Sequence, residues 1–168
     1  MKYSRFEELP VWKAAIELAV RIYQLTSQSA VKSRYSLRDQ IERAAVSVSN
    51  NIAEGFERGT TQELLSFLYI ARGSCGEVRS MLCLLEALPV FDHLKFEISN
   101  LKLRAEGISR QLRGWADSLQ NSPIKGQRYL TDKTKNSIRE AREREEFLDE
   151  IRKVRAASPA TYGRNEDE

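Results

Sequence analysis

The sequence has little of what most chemistry needs. Histidine occurs once in 168 residues, at His93, and no Glu-x-x-His pair is present. Helical bundles that hold two metal ions need two such pairs with further inward glutamates, so that chemistry is excluded. One histidine also leaves no Cys–His or Ser–His nucleophile pair to argue for. The densest glycine cluster, Gly73-Ser74-Cys75-Gly76, lacks the Gly-Lys-Ser/Thr ending of a phosphate loop. Its small residues are read instead as room for a neighbouring helix to approach. Cysteine occurs twice, at Cys75 and Cys83. Eight residues along one helix is roughly 12 Å, beyond the about 7 Å between Cα atoms that a disulfide tolerates. Two buried thiols in a reducing compartment are expected. No apolar run nears the roughly 18 residues of a membrane span. The first residues, "MKYSRFEELPVW", carry no apolar signal core, so the expected location is cytoplasmic, with no membrane contact. No catalytic residue, metal ligand or cofactor site is assigned, and the expectation is a protein that is not an enzyme.

Four long helical patterns are present, and no stretch alternates as a strand does. The first opens at Pro10, which suits a first helical turn because its missing N–H has no partner there. It carries two apolar stripes: Val11, Ala15, Leu18, Ile22 and Leu25, and about 100° round, Trp12, Ile16, Ala19 and Tyr23. A helix facing only its own core needs about three positions in seven. Trp12, Ile16 and Tyr23 are therefore candidates for a subunit contact. The second pattern starts near Ser36, buries Leu37, Ile41, Ala44, Val48, Ile52 and Phe56, and ends at Gly59, expected in the left-handed conformation that closes helices. Thr60 and Glu63 have capping-box spacing for the third. That third helix reads as a heptad through Leu64, Phe67, Ala71, Ser74, Val78, Met81, Leu85 and Leu88. Pro89 and Asp92 break it. The fourth runs through Leu94, Ile98, Leu101, Ala105, Ile108, Leu112, Trp115 and Leu119. Heptad seams joined by short loops imply an all-α fold, an antiparallel up-down four-helix bundle over residues 1–121.

Residues 122–168 differ in texture, with 11 Lys+Arg against 10 Asp+Glu and few large apolar residues. They read as a charged, partly helical C-terminal extension: one helix over 132–155, then an unstructured end.

The middle of the second helix is unusual. Gln40, Arg43, Ser47, Asn50, Asn51, Glu54 and Arg58 share an arc of about 100°. Solvated faces favour Lys, Glu and Gln, whereas Ser and Asn lose helix propensity unless their side chains find partners. Arg43, Ser47, Asn50, Asn51 and Glu54 are accordingly read as a polar seam against another helix, with a solvated face as the competing reading.

Three segments, "LPVWKAAIELAVRIYQLT", "LRDQIERAAVSVSNNIAEGFERG" and "ELLSFLYIARGSCGEV", resemble the bacterial four-helix bundle family named after proteins encoded in 23S rRNA intervening sequences. Its most specific marks are Asn51 to Gly55, "NIAEG", and the Arg43-Ala44-Ala45-x-Ser47 approach. The resemblance covers about residues 6 to 120. It departs at Ser27 to Ser33, "SQSAVKS", where the family often has an aromatic and a proline. The resemblance implies ring-shaped homo-oligomers, typically pentamers, without established enzymatic activity. It also implies a distant likeness to the accessory variability determinant of diversity-generating retroelements, which binds nucleic acid and a reverse transcriptase.

The functional expectation is a non-catalytic homo-oligomeric adaptor associated with RNA or a ribonucleoprotein. Its alternatives are a protein-only scaffold whose tail recruits a partner, or an accessory subunit of a retroelement reverse transcriptase. The net charge of +3 permits nucleic-acid contact without demanding it. The candidate cations for RNA or DNA, bound without sequence preference, are Lys102, Arg104, Arg110 and Arg113. No aromatic residue interleaves with them, so contact to phosphate is expected, and a solvated charged face explains them equally well. A site shared between subunits through Arg43 and Glu54 is the remaining enzymatic reading.

Overall fold

A computed structural model describes residues 3–121 and 132–157. The chain divides into two units, Met1–Arg128 and Tyr129–Glu168. The fold is all-α, and the described residues contain no strand.

The first unit holds α1 (Pro10–Thr26), the single turn α2 (Ser29–Lys32), α3 (Tyr35–Glu57), α4 (Thr61–Ala87) and α5 (Lys95–Gln120). Short 3-10 turns precede α1 at Phe6–Glu8 and α5 at Pro89–Leu94. Helix α1 packs on α3 and α5, and α4 packs on the same two, so the four long helices enclose one core. Cross-helix bonds give their directions. Gln40 reaches Glu77 and Ser47 reaches Ser74, so α3 and α4 run oppositely. Lys102 with Glu86 and Gln120 with Tyr69 oppose α5 to α4. Arg104 with Glu17 and Gln28 with Glu97 oppose α5 to α1.

The core follows the heptads. Val11, Ala15, Leu18, Ile22 and Leu25 of α1 are buried, as are Ile41, Ala44, Val48, Ile52 and Phe56 of α3. The α4 register differs from the sequence reading by one residue at alternate positions. Leu64, Leu68, Ala71, Cys75, Val78, Leu82 and Leu85 form the buried row, while Phe67, Met81 and Leu88 sit half-buried at its edge. Apart from Ser74, which is buried beside Cys75, both rows are apolar, and only the placement of two neighbours chooses the central one.

Two local expectations are corrected. Helix α3 does not end on a left-handed glycine: Arg58 is extended (φ −68°, ψ 144°) and Gly59 has no positive φ. Thr60 is also extended as the N-cap of α4, and its Oγ1 accepts from the Glu63 N–H at 3.2 Å. An extended connection delivers the chain to that cap directly. Cys83, expected to be buried, is exposed, whereas Cys75 is fully buried. Eight residues at 100° each carry Cys83 about 80° past Cys75 and out of the core. The connection after α1, expected as a loop, contains α2, whose Val31 is fully buried.

In the second unit α6 (Asp132–Ala157) is a single helix. Arg142 pairs with Glu146 at 2.9 Å and Arg152 with Asp149 at 3.1 Å along its surface. Phe147, Leu148 and Ile151 are exposed. The helix expected over 132–155 continues to Ala157, and the expected break after Asn121 and the rest of the unstructured end lie outside the described residues.

Candidate functional site

The polar stretch of α3 meets α4 in a narrow contact. Asn51 Nδ2 donates to the Ser47 carbonyl at 2.7 Å and to Ser47 Oγ at 3.0 Å. Ser47 Oγ lies 2.9 Å from Ser74 Oγ, and Ser74 Oγ donates to the Ile70 carbonyl at 3.2 Å. Each hydroxyl has one proton, so the chain has one consistent direction: Asn51 to Ser47, Ser47 to Ser74, Ser74 to Ile70. Gln40 Nε2 extends the contact by donating to Glu77 at 2.9 Å.

One turn beyond Asn51 the helices approach too closely for a side chain. A Cβ on Gly55 would lie 2.6 Å from Phe67 Cβ and 3.3 Å from Leu64 Cδ1. The glycine of "NIAEG" is thus the point where α3 presses onto α4. Residues 7–114 match the family model described as 23S rRNA-intervening sequence protein. The chain belongs to this family. No curated protein matches it.

Within the bundle the five seam residues separate. Ser47 and Asn51 are half-buried and bonded, while Arg43, Asn50 and Glu54 are exposed. Arg43 pairs with Asp39 at 3.1 Å and Glu54 with Arg58 at 2.6 Å. Arg43 and Glu54 thus hold other partners on their own helix, and the structure does not bring them together. Gly73 and Gly76, read as room for a neighbouring helix, face open space, because Ser74 rather than its glycines points at α3.

Of the oligomer candidates, Trp12 is half-buried against Phe6, with ring centroids 5.2 Å apart. Ile16 and Tyr23 are exposed at 37% and 47%, and with Val20 at 50% they flank a shallow groove completed by Ala19 and Gln24. Val20 extends this apolar face although neither sequence stripe contains it. At 100° per residue it lies about 40° beyond Ile16, on the side of the second stripe away from the first.

Of the α5 cations, Lys102, Arg110 and Arg113 fall within an arc of about 80°, and Arg104 lies on the other side of the helix. Lys102 is bonded to Glu86 at 2.6 Å, and that hydrogen bond is the first cause holding its ammonium above the usual lysine range. Arg104 pairs with Glu17 at 3.0 Å on the opposite edge of the helix. Arg113 lies 3.7 Å from Asp117. Arg110 is exposed. These four do not form one patch, and two of them neutralise carboxylates of neighbouring helices.

Proposed function

We propose that this protein is a non-catalytic, homo-oligomeric adaptor in an RNA-linked assembly. The observation that carries the reading is the apolar face of α1, where Ile16, Val20 and Tyr23 stay uncovered although the helix already packs on α3 and α5. A second copy is the occupant this reading assigns to that face, in a closed ring with five copies as the expected number. Support for RNA comes from the family description and from the net charge of +3, which a ring multiplies. Support for a non-catalytic role comes from Cys75, which burial holds protonated in the core. Mass photometry of the full chain should show one species near five chain masses. A monomer at micromolar concentration overturns the oligomeric reading.

The protein-only scaffold is a second reading, favoured by Phe147, Leu148 and Ile151 exposed along α6. Phe147→Glu with Ile151→Glu should then abolish capture of a protein partner while leaving the oligomer intact. The accessory-subunit reading is narrower. A reverse transcriptase gene found beside this one would favour it.

A further inference from the structure

One end of the bundle, where α1 hands over to α3 and α4 to α5, carries charge that no nearby carboxylate takes up. Lys32, Arg34 and Arg38 cluster there, and none forms an ion pair among the described residues. Of the acidic groups around them, two are paired with other cations and two keep their charge on hydrogen bonds from neutral donors, out of ion-pair reach of these three cations. Asp39 pairs with Arg43 at 3.1 Å, Glu42 accepts from Thr26 at 2.5 Å, Asp92 pairs with Lys95 at 2.8 Å, and Glu97 accepts from Gln28 at 3.1 Å. The first turn of α3 contains no acidic residue.

What the three cations do touch leaves their charge available. The Arg34 guanidinium lies 5.3 Å from the centroid of the buried Phe91 ring. That of Arg38 lies 5.1 Å from the Tyr35 ring, and its Nη1 is 3.5 Å from the Lys32 carbonyl. Rings and a carbonyl orient a guanidinium without neutralising it.

The same end exposes aromatic rings. Tyr35 is 71% exposed and Phe96 83%, more than any other large apolar side chain among the described residues. Phe96 belongs to this end because its chain neighbour Glu97 receives Gln28 from the α1–α2 connection. Neither ring contributes to the core, and an exposed phenyl group gains nothing from water. Together the cations and rings have the two parts of a single-strand platform: positive charge for the backbone, and flat faces on which any base can stack. The α5 cations lack the second part.

We propose that the end of the bundle formed by Lys32, Arg34, Tyr35, Arg38 and Phe96 binds single-stranded RNA, with the cations on phosphates and the rings under bases. The proposal rests on the RNA association above and moves it from α5 to this end.

The test is fluorescence anisotropy of the full chain with a labelled single-stranded RNA of about 20 nucleotides and the corresponding duplex, titrated at several salt concentrations. The combined Lys32→Gln, Arg34→Gln and Arg38→Gln variant should lower the log–log salt slope by about 2, at about 0.7 for each phosphate no longer neutralised. Tyr35→Ala should weaken binding about tenfold with the slope unchanged, and Tyr35→Trp should restore it. Circular dichroism of each variant should match the wild type. A triple variant that binds like the wild type overturns this site and leaves the RNA association standing. Duplex bound as tightly as single strand overturns the role of the rings. No binding by the wild type near about 50 mM salt removes the RNA association itself, and this site with it.

Discussion

Gly55 and Gly73 lie on successive helices of the same bundle, yet a methyl group should act on them in opposite directions. Replacing an interior helical glycine by alanine ordinarily gains up to about 1 kcal/mol of helix propensity. At Gly55 the new Cβ would meet Phe67 Cβ at 2.6 Å, so α3 and α4 must move apart. Gly55→Ala should therefore destabilise by about 1–3 kcal/mol. Gly73→Ala meets nothing within 4 Å and should stabilise by about 0.5–1 kcal/mol. Urea denaturation of the two variants checks the pair. The cysteines divide in the same manner. Burial pushes the Cys75 thiol up to about 12, against an ordinary value near 9. The unfolded chain thus releases this proton first as pH rises. Stability contributed by Cys75 is complete below about pH 9 and falls by up to about 1.4 kcal/mol per pH unit between there and about pH 12. The measurement is denaturation at pH 8, 9 and 10, compared with Cys75→Ala, in which this component of the slope is absent. A thiol reagent at pH 8 should modify one cysteine, Cys83, in the folded protein and both in urea.

Among elements, α4 shows how a heptad can be legible while its register is not. Leu64, Ala71, Val78 and Leu85 belong to both the apolar row read from the sequence and the buried row. Between them the choice of Leu68 and Leu82 over Phe67 and Met81 depends on where α3 and α5 sit, while Ser74 and Cys75 are both buried. Leu82→Ala should cost about 2–5 kcal/mol, because the residue is fully buried. Leu84→Ala, two positions on and half exposed, should stay within about 0.5 kcal/mol. Thermal denaturation separates these values. Near-equal costs would mean that Leu82 does not sit in the core of α4.

At the scale of the whole molecule, α1 decides whether the chain stands alone. Its inner stripe is plain from spacing, and so is the excess of apolar surface beyond it. Which residues make up that excess is less plain: Trp12 folds back onto Phe6, and Val20 joins Ile16 and Tyr23. Under the oligomeric reading, Val20→Glu with Tyr23→Glu should reduce the mass species to single chains and leave the helical circular dichroism unchanged. Both side chains are about half exposed, so the bundle core does not depend on them. A ring that survives this pair of charges would move the subunit contact to another face.

Periodicity alone determined the four long helices, their apolar sides and the all-α class, because a 3.6-residue repeat and a capping threonine are local properties of the chain. Family membership was equally legible, since "NIAEG" and the residues before it are a linear pattern. Tertiary structure decided what those residues do. The same short polar run divides into Ser47 and Asn51, bonded toward α4, and Asn50, left in water, because one residue turns the helix by about 100°. Gly59 and Gly55 look alike in sequence, but only Gly55 meets a neighbouring helix at a distance that excludes a Cβ. Charge followed the same rule. Lys102 and Arg104 look free along the chain until α4 and α1 supply Glu86 and Glu17, whereas Lys32, Arg34 and Arg38 meet no carboxylate within ion-pair distance among the described residues, and Asp39 and Asp92 pair with Arg43 and Lys95 instead. A side chain's partner lies across the fold, and spacing along the chain does not carry that distance.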